Sequence, residues 1–218
     1  MFAYPDKALF NRAVPKTKIY ANAKPSQKVK AMVISQINEI VWKYKLAEGT
    51  VNLAPRDGYQ EIQVFDIVLK EPELGLEVLE LIDGVIPYPL FFRLWHGDMT
   101  KQVAAYKRPA ADGSGNWVTA CYFETDWTPA SASLLPLPVA LDIKALYEQM
   151  LFALIDLPPR NGETLQALVE RVWAIRKLNR ELQAVESKMH KEKQFNRKVE
   201  INAQLRLIQD HLQELQCP

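Results

Sequence analysis

Pro89-Leu90-Phe91-Phe92-Arg93-Leu94-Trp95, followed by His96-Gly97-Asp98, is the stretch that decides the fold of this chain. A dense apolar and aromatic run interrupted by a single charge reads as a buried strand. His96-Gly97-Asp98 is a tight turn that sends the chain back into a second run over 102–107. Asp112-Gly113-Ser114-Gly115-Asn116 supplies another turn, into a third run over 117–125. Three strand-like runs joined by two short turns predict an antiparallel meander.

Upstream, residues 61–70 alternate into a β-branched set, Ile62, Val64, Ile67 and Val68, and predict a strand of the same sheet. Residues 74–82 repeat apolar side chains at helical spacing and stop at Gly84, a helix C-terminal signal. Val29, Met32, Val33, Ile37, Ile40, Val41 and Tyr44 fall three and four apart, which predicts a helix opening at Pro25-Ser26 and ending near Leu46. Before it, Pro5, Pro15 and Pro25 punctuate what reads as an extended lead-in. The expected body is therefore α+β, a small, mainly antiparallel sheet of about four strands with the helices packed on one face.

Downstream, the prolines and small residues of 128–138 read as a linker or wrap. Asp142 caps a helix running to Leu154, with Leu146, Tyr147, Met150 and Leu151 along its stripe. Pro158, Pro159 and Gly162 mark a boundary, so the body is read as 1–157 and an arm as 158–218. Residues 163–216 contain neither Gly nor Pro and are strongly helical. One apolar frame comprises Leu165, Leu168, Val172, Ile175, Leu182 and Met189; a second comprises Ile201, Leu205, Ile208, Leu212 and Leu215. The frames do not match across 191–198, which leaves a stuttered long helix, coiled around a partner, or a helical hairpin. The hairpin is favoured because each stripe then buries the other. These stripe residues are the expected assembly interface, with a partner chain or a second copy.

The 218 residues carry 27 Lys and Arg against 26 Asp and Glu, so any attraction to nucleic acid must come from local clusters. Cys121 and Cys217 are too few and too far apart for a disulfide framework. The start, Met1-Phe2-Ala3-Tyr4-Pro5-Asp6-Lys7, lacks the pattern of a secretory signal. The longest apolar run, 134–141, is short and broken by Pro136 and Pro138. A soluble, cytoplasmic protein with no membrane partner is expected.

Two basic groups stand out. Lys188, His190, Lys191, Lys193, Arg197 and Lys198 surround Phe195, a pattern that could meet phosphates with the ring stacking on a base, or form a solvated helix tip. Lys101, Tyr106, Lys107 and Arg108 lie beside Trp117 and offer a second nucleic-acid surface, or serve solubility on the wet face of the sheet. Glu61, Asp66 and Lys70 invite comparison with metal-dependent nucleases, but the spacing is wrong for the familiar acidic pair and lysine. Glu124 and Asp126 near Tyr122 read as a strand end. His96, His190 and His211 have no metal-ligand spacing, and no phosphate loop, nucleophile elbow or HExxH appears. No catalytic residue, metal or cofactor is assigned.

Several stretches are familiar as a set. Tyr4-Pro5-Asp6-Lys7, Asn11-Arg12-Ala13-Val14-Pro15-Lys16, Val41-Trp42-Lys43-Tyr44-Lys45-Leu46, Tyr122-Phe123-Glu124-Thr125-Asp126-Trp127 and the run from Lys191 to Lys198 resemble a bacterial family of uncharacterised proteins, one of the numbered domains of unknown function. The resemblance covers essentially the whole chain. It implies a setting beside helicases and DNA methyltransferases in anti-phage defence clusters, and hence a non-enzymatic accessory subunit that docks such a partner. The alternatives are a nucleic-acid-binding module and a divergent metal-dependent nuclease.

Overall fold

The meander is present in the computed structural model, which describes residues 1–110, 112 and 115–217. Strands β5 (Leu90–His96), β6 (Met99–Pro109) and β7 (Trp117–Glu124) pair antiparallel in succession. Gly97 makes the first turn at φ 55°, a conformation that suits a residue without Cβ. The turn read over 112–116 lies partly outside the described residues. Strand β4 (Glu61–Leu69) joins β5 in parallel, and the crossover is helix α4 (Leu76–Val85).

The sheet is wider than about four strands. Its order is β2-β3-β4-β5-β6-β7, with β2 at Leu9–Ala13 and β3 at Ile37–Ala47, and a short β8 (Thr128–Pro129) also pairs with β6. Two expectations are corrected here. The helix read to Leu46 ends as α2 (Gln27–Gln36), where Ile37 turns extended, and the rest of that segment is β3. Ile40, Val41, Trp42 and Tyr44 are β-branched or aromatic, so their backbone preference favours a strand even though their spacing also fits a helix. Pairing along β4 from Ile37↔Leu69 to Ala47↔Glu61 decides it. The N-terminal lead-in is likewise structured. It forms β1 (Phe2–Ala3), a single 3₁₀ turn, β2 and α1 (Lys16–Ala23). Pro15 stands just before α1 and Pro25 just after it, so the prolines bracket that helix rather than forbid it.

Strand alternation sorts the body into two layers. Phe65, Ile67 and Leu69 of β4, Leu90, Phe92 and Leu94 of β5 and Val103 of β6 meet Ile19 of α1, Val33 of α2 and Val78, Leu79 and Ile82 of α4 in one core. The helices expected on one face are thus found there. The other face receives α5 (Ile143–Phe152), whose Tyr147 ring meets Phe91 and Tyr59. Asp142 caps α5, its carboxylate accepting from the Ala145 N–H at 2.8 Å. The buried Tyr147 hydroxyl accepts from Lys107 N–H at 2.7 Å and donates to Ala105 O at 2.9 Å, closing the β6 backbone where its register with β7 shifts. A short helix α3 (Glu48–Val51) follows β3, and β9 (Leu135–Pro136) pairs in parallel with β1.

The chain divides into two compact units, Met1–Ile155 and a second from Asp156 onward. The second is a helical hairpin, α6 (Leu165–Lys191) and α7 (Phe195–Gln216). No helix is long and apolar enough to cross a membrane among the described residues.

Candidate nucleic-acid interface

The hairpin seam is built from the predicted stripes. Val185, Leu205, Ile208 and Leu212 are buried together, with Ile175, Leu178, Leu182, Met189 and Ile201 packed around them. Leu165, Leu168 and Val172 are buried and Leu215 is half-buried. The hairpin favoured by the two mismatched frames is what these stripes form. Val185, Leu205, Ile208 and Leu212 with their neighbours are the arm's own core, and the hydrophobic gain of covering them is taken inside one molecule.

The base of the hairpin is locked by charge. The buried Arg171 guanidinium forks onto the Glu163 carboxylate at 2.7 and 2.8 Å. It also donates to Pro158 O at 2.8 Å and Leu215 O at 2.9 Å. Arg160 donates to Glu214 O at 2.6 Å and Cys217 O at 3.0 Å. Together they satisfy carbonyls at the end of α7 that have no helical partner. Arg171 is a cation on an otherwise apolar helix face, eight residues after Glu163, and that misfit was the sequence signal for this lock.

At the opposite end the arm presents its cations. Between 188 and 198 stand Lys188, Lys191, Lys193, Arg197 and Lys198 against one acid, Glu192. Glu192 turns inward. Its Oε1 accepts from the N–H groups of Gln194 at 2.8 Å and Lys193 at 2.7 Å, and these bonds hold its carboxyl below the usual range. Arg197 reaches Glu192 only at 3.9 Å. The acid thus folds the turn while its charge also acts on Arg197 and Lys198, leaving five Lys and Arg against one carboxylate. The Phe195 ring, first residue of α7, is 78% exposed among these cations. An exposed aromatic flanked by exposed lysines can meet phosphates and bases together.

The second predicted basic surface dissolves. Lys107 is not a surface residue. It is 2% exposed, and its ammonium donates to Asp83 O at 2.8 Å, to Asp83 Oδ1 at 3.3 Å and to Ile86 O. It caps the C-terminal end of α4, where the helix dipole favours a cation, so it is withdrawn from the nucleic-acid set. Lys101 pairs with Glu124 at 2.8 Å and covers Trp127. Arg108 is half-buried and donates to Pro109 O at 3.5 Å.

Nor do the nuclease candidates converge. Asp66 is gripped by the Arg93 guanidinium, which stacks near Tyr4, Tyr44 and Trp95. Glu61 pairs with Lys45 at 2.6 Å, and Lys70 donates to Ile34 O at 2.8 Å. Among the described residues no three His, Cys, Asp or Glu side chains gather as a metal site.

One family profile aligns with residues 2–212, from the first strand almost to the end of α7. The chain belongs to that family, the domain of unknown function DUF4391. No curated protein and no solved structure matches the chain.

Proposed function

We propose that this DUF4391 protein is a non-enzymatic accessory subunit of a DNA-processing assembly whose arm touches nucleic acid through the hairpin tip. The supporting observation is the cation cluster around exposed Phe195, five Lys and Arg against one acid between 188 and 198. A salt titration of binding on the full chain tests it. Wild type should bind oligonucleotides with an affinity that falls steeply with salt. Lys191→Gln/Lys193→Gln/Lys198→Gln should weaken binding and flatten the slope by about 0.7–0.9 for each phosphate no longer neutralised. An isotherm unaffected by the triple substitution removes the idea.

A second reading, docking of a helicase or DNA methyltransferase in anti-phage defence, no longer draws on the arm's stripes. It is favoured by the strap after β9, where Val139 is 92% and Leu141 89% exposed, beside a cleft of about 690 Å³ lined by Tyr4, Pro5, Leu53 and Leu146. Contiguous exposed apolar surface is a candidate protein contact site. Pull-down of a helicase or methyltransferase by wild type, lost in Val139→Ser/Leu141→Ser, is the expected result; equal recovery by both proteins counts against the strap.

A further inference from the structure

The side of α6 turned away from its seam carries a second periodic series. The seam runs Ile175, Leu178, Leu182, Val185, Met189; on the opposite side run Trp173, Lys177, Arg180, Ala184, Lys188 and Lys191, again three and four apart. All six are exposed, Trp173 by 54%; exposed Glu181, four residues after Lys177, flanks the same side, so the face carries four cations against one acid. The Lys177 ammonium lies 5.7 Å from the Trp173 ring centroid. At about 1.5 Å per residue the row extends roughly 27 Å along the helix and then runs into Lys193 and Phe195. Cations outnumber acids along it, Trp173 stands at one end, and beyond the other end the hairpin tip carries Phe195, the first residue of α7.

Duplex binding through phosphates needs the cations but not the rings. An exposed Trp173 and an exposed Phe195 are apolar surface left in water, and each offers a face on which an unpaired base can stack. From this geometry we infer that the outer face of α6 together with the hairpin tip, from Trp173 to Phe195, is a track for single-stranded nucleic acid. Lys177, Arg180, Lys188 and Lys191 follow the backbone, and the two rings stack bases at the ends. The length suits the short end of the roughly 4–16 nucleotides that single-strand-binding folds cover. The inference rests on the proposed binding of phosphate at the tip, and adds the strand class and Trp173.

The test is fluorescence anisotropy on the full chain with three probes: an oligothymidine of about a dozen nucleotides, an abasic strand of the same length and a blunt duplex. Trp173→Ala and Phe195→Ala should each lower affinity for oligothymidine about fivefold to a hundredfold, the usual range for removing one base stack. Neither should change binding to the abasic strand, nor the salt slope. Lys177→Gln/Arg180→Gln should weaken all three probes and reduce the slope. Both ring variants binding oligothymidine like wild type would overturn the track while leaving the tip reading intact. Charge variants at 177, 180, 191, 193 and 198 that bind like wild type would overturn both. Anionic vesicles bound more tightly than oligothymidine, with the same residue dependence, would assign the face to a lipid surface and overturn the nucleic-acid track.

Discussion

Lys107→Met separates a buried cap from a nucleic-acid ligand. Methionine keeps the length of the side chain and removes its charge. The Asp83 carboxylate, its side chain 2% exposed, then keeps the Tyr122 hydroxyl at 2.6 Å but loses its cation, and the carbonyls of Asp83 and Ile86 lose a donor. Removing one partner of a buried pair costs about 3–5 kcal/mol. In a unit the size of Met1–Ile155 each kcal/mol lowers Tm by about 2–4 °C, so calorimetry should show a drop of about 10 °C. The loss should depend on pH. Burial already pushes the Asp83 carboxyl above its ordinary value, with Lys107 and the Tyr122 bond opposing. Without Lys107 the folded pKa rises further above the unfolded one, so the folded state binds more protons between the two values. The penalty is full above the raised folded pKa and shrinks as pH falls through it towards the unfolded value, so the gap to wild type should narrow with falling pH. Lys107→Met/Asp83→Leu/Tyr122→Phe should recover much of the stability, because a packed apolar trio needs no ion pair. Oligonucleotide binding should be unchanged in both variants. An unaltered Tm combined with weakened binding would refute the reasoning and return Lys107 to the surface.

Two further perturbations probe the frame around these sites. Tyr147→Phe deletes the hydroxyl that serves Lys107 N–H and Ala105 O, and should cost about 1–3 kcal/mol in urea unfolding with an unchanged slope; a neutral effect would mean that those backbone groups find other partners. The Arg171 bonds hold the Glu163 carboxyl below the usual glutamate range, so this group adds stability above its unfolded pKa and loses it as pH falls through the folded one. Amide NMR shifts of Leu215 and Gln216 should therefore move below about pH 4 in wild type and stay flat in Glu163→Gln; identical titrations would show that the lock does not depend on that charge.

Much of the body was legible because its signals are local. The alternation of 61–70, the helical spacing of 74–82, the turn at Gly97 and the Asp142 cap each describe a preference that a few neighbouring residues settle among themselves. The stop read at Gly84 falls one residue early, as α4 runs to Val85. The arm was legible for the same reason, as the break between its two apolar frames falls on the turn at Lys193. The fate of 37–47 was not. Ile37, Ile40, Val41 and Tyr44 satisfy helical spacing and strand chemistry equally, and only the pairing with β4, residues away in sequence, breaks the tie.

Of the candidate site, the chain alone determined where the cations and Phe195 lie. It did not determine which charges are spent. Lys107 reads as basic, yet the fold delivers it under α4; Asp66 reads as acidic, yet β5 sets Arg93 beside it. Amphipathic period, turn chemistry and capping are properties of short segments, so sequence alone carries them. Burial of a charge and choice of its partner depend on which distant segments meet. Only the tertiary structure decides those, because water competes for every charge until packing excludes it.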